Sequence, residues 1–173
     1  MLTEDDIDGF IKLDSELMIC ANIGGMVPLS ANMGQAMLHF CISDTNKQML
    51  LNNSKFIPHL VHSLLLSPEH ARKDTPEEIK AAVQRDFAEC IQQVSLFPPG
   101  CEALKAADIT AVLDELVDKA WSEEAKDSAR GALMQLTDRH REEVVEVDPD
   151  ALHIMLSCAC TAVVSSILDY DQD

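Results

Sequence analysis

His59 and His62 stand three residues apart, a spacing that would put two imidazoles on one helix face within reach of a shared metal ion, and His70 follows shortly after. No cysteine or carboxylate completes a ligand set at matching spacing, so both histidines read as structural. Cys158 and Cys160 are separated by one residue, whereas zinc-binding pairs leave two or more between ligands. Asp5-Asp6 and Glu142-Glu143 are paired carboxylates, but a general acid needs a cleft that raises its pKa, and these pairs sit in acidic, solvated segments. There is no Gly-rich phosphate loop, no Gly-x-Ser-x-Gly elbow and no His-Glu-x-x-His helix. These residues predict a protein that is not an enzyme, with no catalytic residue, no metal site and no cofactor.

The composition points the same way. A chain of 173 residues with 47% hydrophobic and 25% charged side chains can bury a core in one domain or one short array of repeats. Aromatics are 4% of the chain, so the core must be made of Leu, Ile, Val, Ala and Met, which suits layers of packed helices. The formal charge of -17 repels phosphate backbones and anionic lipid headgroups, which argues against nucleic acid as a partner. Six cysteines (Cys20, Cys41, Cys90, Cys101, Cys158 and Cys160) are scattered through apolar stretches with no N-terminal signal peptide. They are expected to be reduced, packed as small hydrophobes, in an intracellular, cytoplasmic protein.

Helix signals recur with short spacers. Thr75-Pro76-Glu77-Glu78 reads as a capping box with a proline at the first helical position. Behind it Ile79, Val83, Phe87, Cys90, Ile91 and Val94 form one apolar stripe. Ser54 can cap a helix over 54–67, and Pro98-Pro99-Gly100 breaks the chain. A short helix over 101–106 follows, then one capped by Asp108 over 109–120 and one over 122–137. Trp121, between the last two, is expected to pack into their junction. Helices over 46–52, 54–67 and 75–95 thus run short, medium, long, and those over 101–106, 109–120 and 122–137 repeat that order. Residues 90–95 align with 132–137 at an offset of 42, and less well with 38–43. A period of about 40 residues falls in the range of stacked helical repeats.

Gly25-Met26-Val27-Pro28-Leu29 and Phe56-Ile57-Pro58-His59-Leu60-Val61 resemble the Gly-x-Ile-Pro-x-Leu-Val opening of the second helix in armadillo repeats, and residues 132–137 resemble the ending of the third. The resemblance covers roughly residues 20–140 and implies an all-α fold, a short armadillo-like α-solenoid of three-helix repeats. The first repeat is abbreviated on this reading, because Val27-Pro28-Leu29 runs almost directly into a helix over 32–43. The link over 67–75 is long for the family and is expected to be an exposed loop.

In peptide-clamping members of the family, the third helices carry a tryptophan four residues before an asparagine. The aligned positions are Glu89 and Gln93 in one unit and Gly131 and Gln135 in the next, so binding of nuclear-import peptides is not implied. The amides of Gln93 and Gln135 can still hydrogen-bond a peptide backbone. The expected function is a protein-protein interaction scaffold whose surface is formed by Arg85, Glu89, Gln93, Asp127, Gly131 and Gln135, with a protein or peptide partner.

After a region spanning 1–140, residues 141–150 read as an acidic linker. Residues 151–168 carry no Asp, Glu, Lys or Arg over 18 positions, near the shortest membrane span. Five polar side chains, from His153 to Ser166, and acidic flanks argue against insertion, although a membrane-tethered adaptor is the alternative function. Leu152-His153-Ile154-Met155-Leu156-Ser157 resembles the first strand of a TIR domain, which would make the chain a fragment of an armadillo-TIR signalling protein. A terminal helix covering the open end of the stack is the simpler expectation for 151–173.

Overall fold

A computed structural model describes residues 3–19, 27–67 and 75–137. They form helices α1 (Glu4–Ile19), α2 (Val27–Ile42), α3 (Asp44–Leu51), α4 (Phe56–Ser63), α5 (Glu77–Ser95), α6 (Pro98–Ala106), α7 (Thr110–Lys119) and α8 (Glu123–Leu136), with no strand among the described residues. All of them belong to one compact unit, Met1–Asp138. The described residues are all helical, as the all-α class expects.

The ends of the helices show how far local sequence dictates them. Ser122 caps α8 as its position suggests, its Oγ accepting the Ala125 amide at 3.2 Å, a contact worth about 1 kcal/mol. The three caps expected elsewhere, at Thr75, Ser54 and Asp108, do not form. Helix α5 starts after Pro76, and Thr75 Oγ1 is buried with no hydrogen-bond partner. In front of α4 it is Asn53, not Ser54, whose side chain accepts a backbone amide, that of Lys55 at 2.9 Å. Asp108 takes a left-handed backbone (φ 50°) and leaves α7 without a side-chain cap. Pro98-Pro99-Gly100 opens α6 rather than breaking the chain, since prolines fit the first turn, where their missing N–H groups would go unpaired.

Two further differences concern the first third of the chain. Helix α1 has no counterpart in the sequence reading. Thr3 and Asp6 hold its start in a reciprocal pair: the Thr3 amide and hydroxyl donate to Asp6 Oδ2 at 2.8 and 2.7 Å, and the Asp6 amide donates to Thr3 Oγ1 at 3.2 Å. The same bonds hold the Asp6 carboxyl below its ordinary pKa, so one member of the Asp5-Asp6 pair serves as a helix cap. Val27-Pro28-Leu29, read as a second-helix opening, is instead the first turn of α2, which continues unbroken to Ile42.

Helix α5 is the centre of the fold, packed along α2 on one side and α8 on the other. Its apolar stripe is the one expected: Val83, Phe87, Cys90, Ile91 and Val94 are all buried. The three helices run in the same direction. Gly34 of α2 lies beside Asp86 and Phe87 of α5, and Cys41, further along α2, meets Cys90, further along α5. The Trp121 amide, just before α8, donates to Gln84 Oε1 at 2.9 Å, and Gly131 lies against Gln92. Gln84 also donates through Nε2 to the Leu64 carbonyl at 2.8 Å, so this buried amide ties the end of α4 to the start of α8 through α5. Trp121, expected to fill the junction, is 38% exposed, with Lys80 Nζ 5.8 Å from its ring centroid.

The short helices bind the C-terminal ends of the long ones. Lys47 of α3 is buried, with Nζ 3.3 Å from the Gln93 carbonyl and 2.8 Å from Asp44, placing a cation at the negative end of α5. In α6 the Cys101 thiol meets the Gln135 carbonyl near the end of α8 at 3.7 Å. Helix α1 joins the rest through Asp8, which accepts Asn53 Nδ2 at 2.7 Å and Lys55 Nζ at 2.6 Å, and through Asp14, whose Oδ2 lies 2.9 Å from His59 Nε2.

Candidate interaction surface

Among the described residues no helix covers one side of the parallel layer of α2, α5 and α8, and the helical repeat determines which residues appear there. Side chains seven apart return to nearly the same azimuth. On α2 the exposed series is Gln35, His39 and Ile42; on α5 the half-buried Arg85, Glu89 and Gln92 lead to the exposed Leu96 one residue beyond the helix; on α8 the exposed series is Asp127, Arg130 and Met134. Gln35 and Ile42, Glu89 and Leu96, and Asp127 and Met134 are each separated by seven residues. Because the helices are parallel, Ile42 (61% exposed), Leu96 (53%) and Met134 (48%) mark the same end of the layer, and the polar and charged groups lie before them.

The expected surface residues fall here unequally. Arg85, Glu89 and Gln93 are half-buried on α5, and Asp127 is exposed on α8. Gln135 is half-buried. Gly131 contributes close packing rather than a reading side chain: a Cβ there would come 2.2 Å from Gln92 Nε2, so its place is at the α5–α8 contact. The sequence reading missed Gln35, His39 and Ile42. The alignment of 38–43 with the third-helix ending was the signal for them, and reading Val27-Pro28-Leu29 as a second-helix opening left the first unit abbreviated and its third helix without a surface assignment.

Charges on this surface are partly used within it. Arg85 Nε and Nη2 donate to Asp86 Oδ1 at 3.0 and 2.8 Å, and Arg130 Nη1 donates to Asp127 Oδ1 at 2.6 Å. Asp86 is buried, and its Oδ2 has no hydrogen-bond partner. Burial pushes its carboxyl above the ordinary value of 3.8, and Arg85 only partly opposes this. The unfolded chain therefore releases this proton at lower pH than the folded chain does. The contribution of Asp86 becomes less favourable as pH rises from 3.8 to its raised value. Asp86→Asn is expected to gain stability relative to the unmodified protein across that window, read from urea midpoints at stepped pH. A difference that falls with rising pH would contradict the assignment.

Of the groups first considered for chemistry, His59, His62, Asp5 and Asp6 are among the described residues. His59 is buried between Asp14 and Phe87, whose ring it meets edge to face at 5.6 Å, while His62 is half-buried in a groove lined by α4, α6 and α7. The Asp14 oxygens and His59 Nε2 are close but not aligned as a hydrogen bond, so all three are buried and unsatisfied. No group of three His, Cys, Asp or Glu side chains is gathered among the described residues. Cys41, Cys90 and Cys101 are free thiols, and burial beside Cys41 drives the Cys90 thiol well above its usual range, away from a reactive thiolate. His70, Cys20, Cys158, Cys160 and Glu142-Glu143 lie outside the described residues, as do the linker at 141–150 and the tail at 151–173. No helix among the described residues is long and apolar enough to cross a membrane. Comparison of the chain with protein-family models, with curated proteins and with solved structures finds no match.

Proposed function

We propose that the chain is a non-catalytic interaction scaffold of armadillo-like three-helix units, and that it holds a protein or peptide partner on the open side of α2, α5 and α8. In this reading α1 and α2 are the second and third helices of the first unit, α3 to α5 make the second, and α6 to α8 make the third. Two features support the repeat: two short helices followed by a longer one, of 8, 8 and 19 residues and then of 9, 10 and 14, and the recurrence of a first-helix side chain on a third-helix carbonyl, at Lys47 with Gln93 and at Cys101 with Gln135. The observation that carries the function is the common register of Ile42, Leu96 and Met134, three exposed apolar side chains on or just beyond three parallel helices, beside exposed and half-buried polar groups. Apolar anchors bordered by hydrogen-bonding side chains suit a protein partner, and the charge of -17 disfavours a phosphate polymer. The free thiols fit a reducing, cytoplasmic setting.

The test is site-directed photo-crosslinking in cells. A benzophenone side chain at Gln93 is expected to give a discrete protein adduct that one at Asp114 on α7 does not, and Leu96→Glu is expected to abolish it. Equal labelling from both positions, or none from Gln93, would refute the proposal.

A further inference from the structure

A second surface lies in the other layer, where the packing is incomplete. Helix α1 packs against α4, and α5 packs against α8, but α4 and α7 have no comparable contact. Between α4, the segment after it and the α6–α7 pair lies an open groove of about 780 Å³. Its walls are apolar, with Ile57 and Val61 on one side and Ile109 and Val112 on the other. Ala103 and Ala106 keep it wide, because a longer side chain at either position would occupy the space. The groove is within the size range of specific binding pockets.

The occupant follows from what the walls lack. The backbone groups of α4 and α7 are engaged in their own helices, and the polar lining is limited to Ser54, His62, Ser67 and Glu115. An extended segment laid here would leave its N–H and C=O groups without partners, whereas a helix satisfies its own backbone and presents only side chains. Charge sets the second requirement. Over 98–119 there are five carboxylates, Glu102, Asp108, Asp114, Glu115 and Asp118, against two lysines, a net of 2 − 5 = −3. Both lysines are already paired, Lys105 with Glu102 at 3.8 Å and Lys119 with Glu115 at 2.9 Å. On the far side, Lys55 is engaged by Asp8.

We infer that the groove between α4 and α6–α7 receives an amphipathic helix of a partner protein, with its apolar stripe against Ile57, Val61 and Val112 and with basic residues toward Glu115, the carboxylate that lines the groove, and the acidic helix pair that carries it. This site is on different helices from the surface proposed above, and neither proposal depends on the other.

Two labelled peptides test it against the full chain by fluorescence polarisation: a helix with leucines at i, i+3, i+4 and i+7 and lysines elsewhere, and the same helix with glutamates in place of the lysines. The lysine peptide is expected to bind at least tenfold more tightly than the glutamate peptide. Ala106→Trp, at an exposed position that fills the groove, is expected to weaken lysine-peptide binding at least tenfold, and Glu115→Lys several-fold. Methyl NMR of the unmodified protein reads the site without any substitution, with shifts expected at Ile57, Val61, Ile109 and Val112. Several outcomes would overturn the inference. One is equal binding of both peptides, or binding of neither. Another is lysine-peptide binding that survives Ala106→Trp, or shifts centred on Ile42 and Leu96. Self-association of the unmodified chain that Ala106→Trp abolishes would identify the occupant as a second copy and equally overturn it.

Discussion

Phe87→Ala is expected to lower the free energy of unfolding by about 4 kcal/mol, the usual cost of emptying a fully buried aromatic site. Phe87 has no exposed surface, and its ring serves three helices at once. It projects from α5, meets the His59 ring of α4 at 5.6 Å and lies beside Gly34 of α2, where a Cβ would come 3.5 Å from Phe87 Cε2. Loss of the ring leaves a cavity that cannot close without moving α2 or α4 toward α5. It also removes the apolar face that holds His59 against Asp14, a pair already buried without aligned hydrogen bonds. The quantity to measure is the urea midpoint and its slope. A loss under about 1 kcal/mol would mean that the site collapses freely, contrary to the packing described.

Gly100→Ala should also destabilise, although helix propensity by itself favours the substitution. Gly100 lies in the first turn of α6, where alanine would ordinarily gain about 1 kcal/mol over glycine. A Cβ at this position, however, would lie 2.2 Å from the Val94 carbonyl oxygen and 2.8 Å from Val94 Cγ1. The oxygen belongs to the backbone of a buried turn of α5 and cannot swing aside as a side chain would. Overpacking of this kind outweighs propensity, and the expected net loss is about 2 kcal/mol. A thermal melt of G100A decides the sign: a raised midpoint would show that α6 can move away from α5 at little cost. Gly131→Ala is the natural comparison, since the atom in its way is the mobile end of Gln92 and the cost should be smaller.

Local signals were most reliable where one helix was long and its periodicity uninterrupted. The stripe of α5 from Val83 to Val94 was legible because every third or fourth residue is apolar and the opposite side is not. Caps were less legible. Thr75, Ser54 and Asp108 all have the right chemistry, yet the side-chain bond in the turn before α4 is made by Asn53 to the Lys55 amide, and Pro76 displaces Thr75 from the N-cap. A capping side chain needs one backbone geometry at one position, and several residues in a polar turn can compete for it. Helix α1 was missed for a related reason. Its buried residues Ile7 and Ile11 and its Thr3–Asp6 cap were present in the sequence, but the acidic positions between them read as a solvated terminus.

For the surface, the resemblance to armadillo third helices carried the choice of α5 and α8, on which Arg85, Glu89 and Gln93 are half-buried and Asp127 is exposed. Spacing along one helix could not show what its neighbours contribute. That Gly131 is a contact point, and that Ile42, Leu96 and Met134 line up at one end, depends on the parallel packing of α2, α5 and α8.

The sequence by itself determined the helical class and the central stripe. It also determined an acidic, aromatic-poor chain without a recognisable motif for chemistry, because these follow from residue type and short-range period. Tertiary structure decided which polar side chains are buried, as with Gln84, Lys47 and the Asp14–His59 pair, and where the layers leave gaps, as between α4 and α7. Burial and separation are properties of residues far apart in the chain, and only the packed fold brings them together.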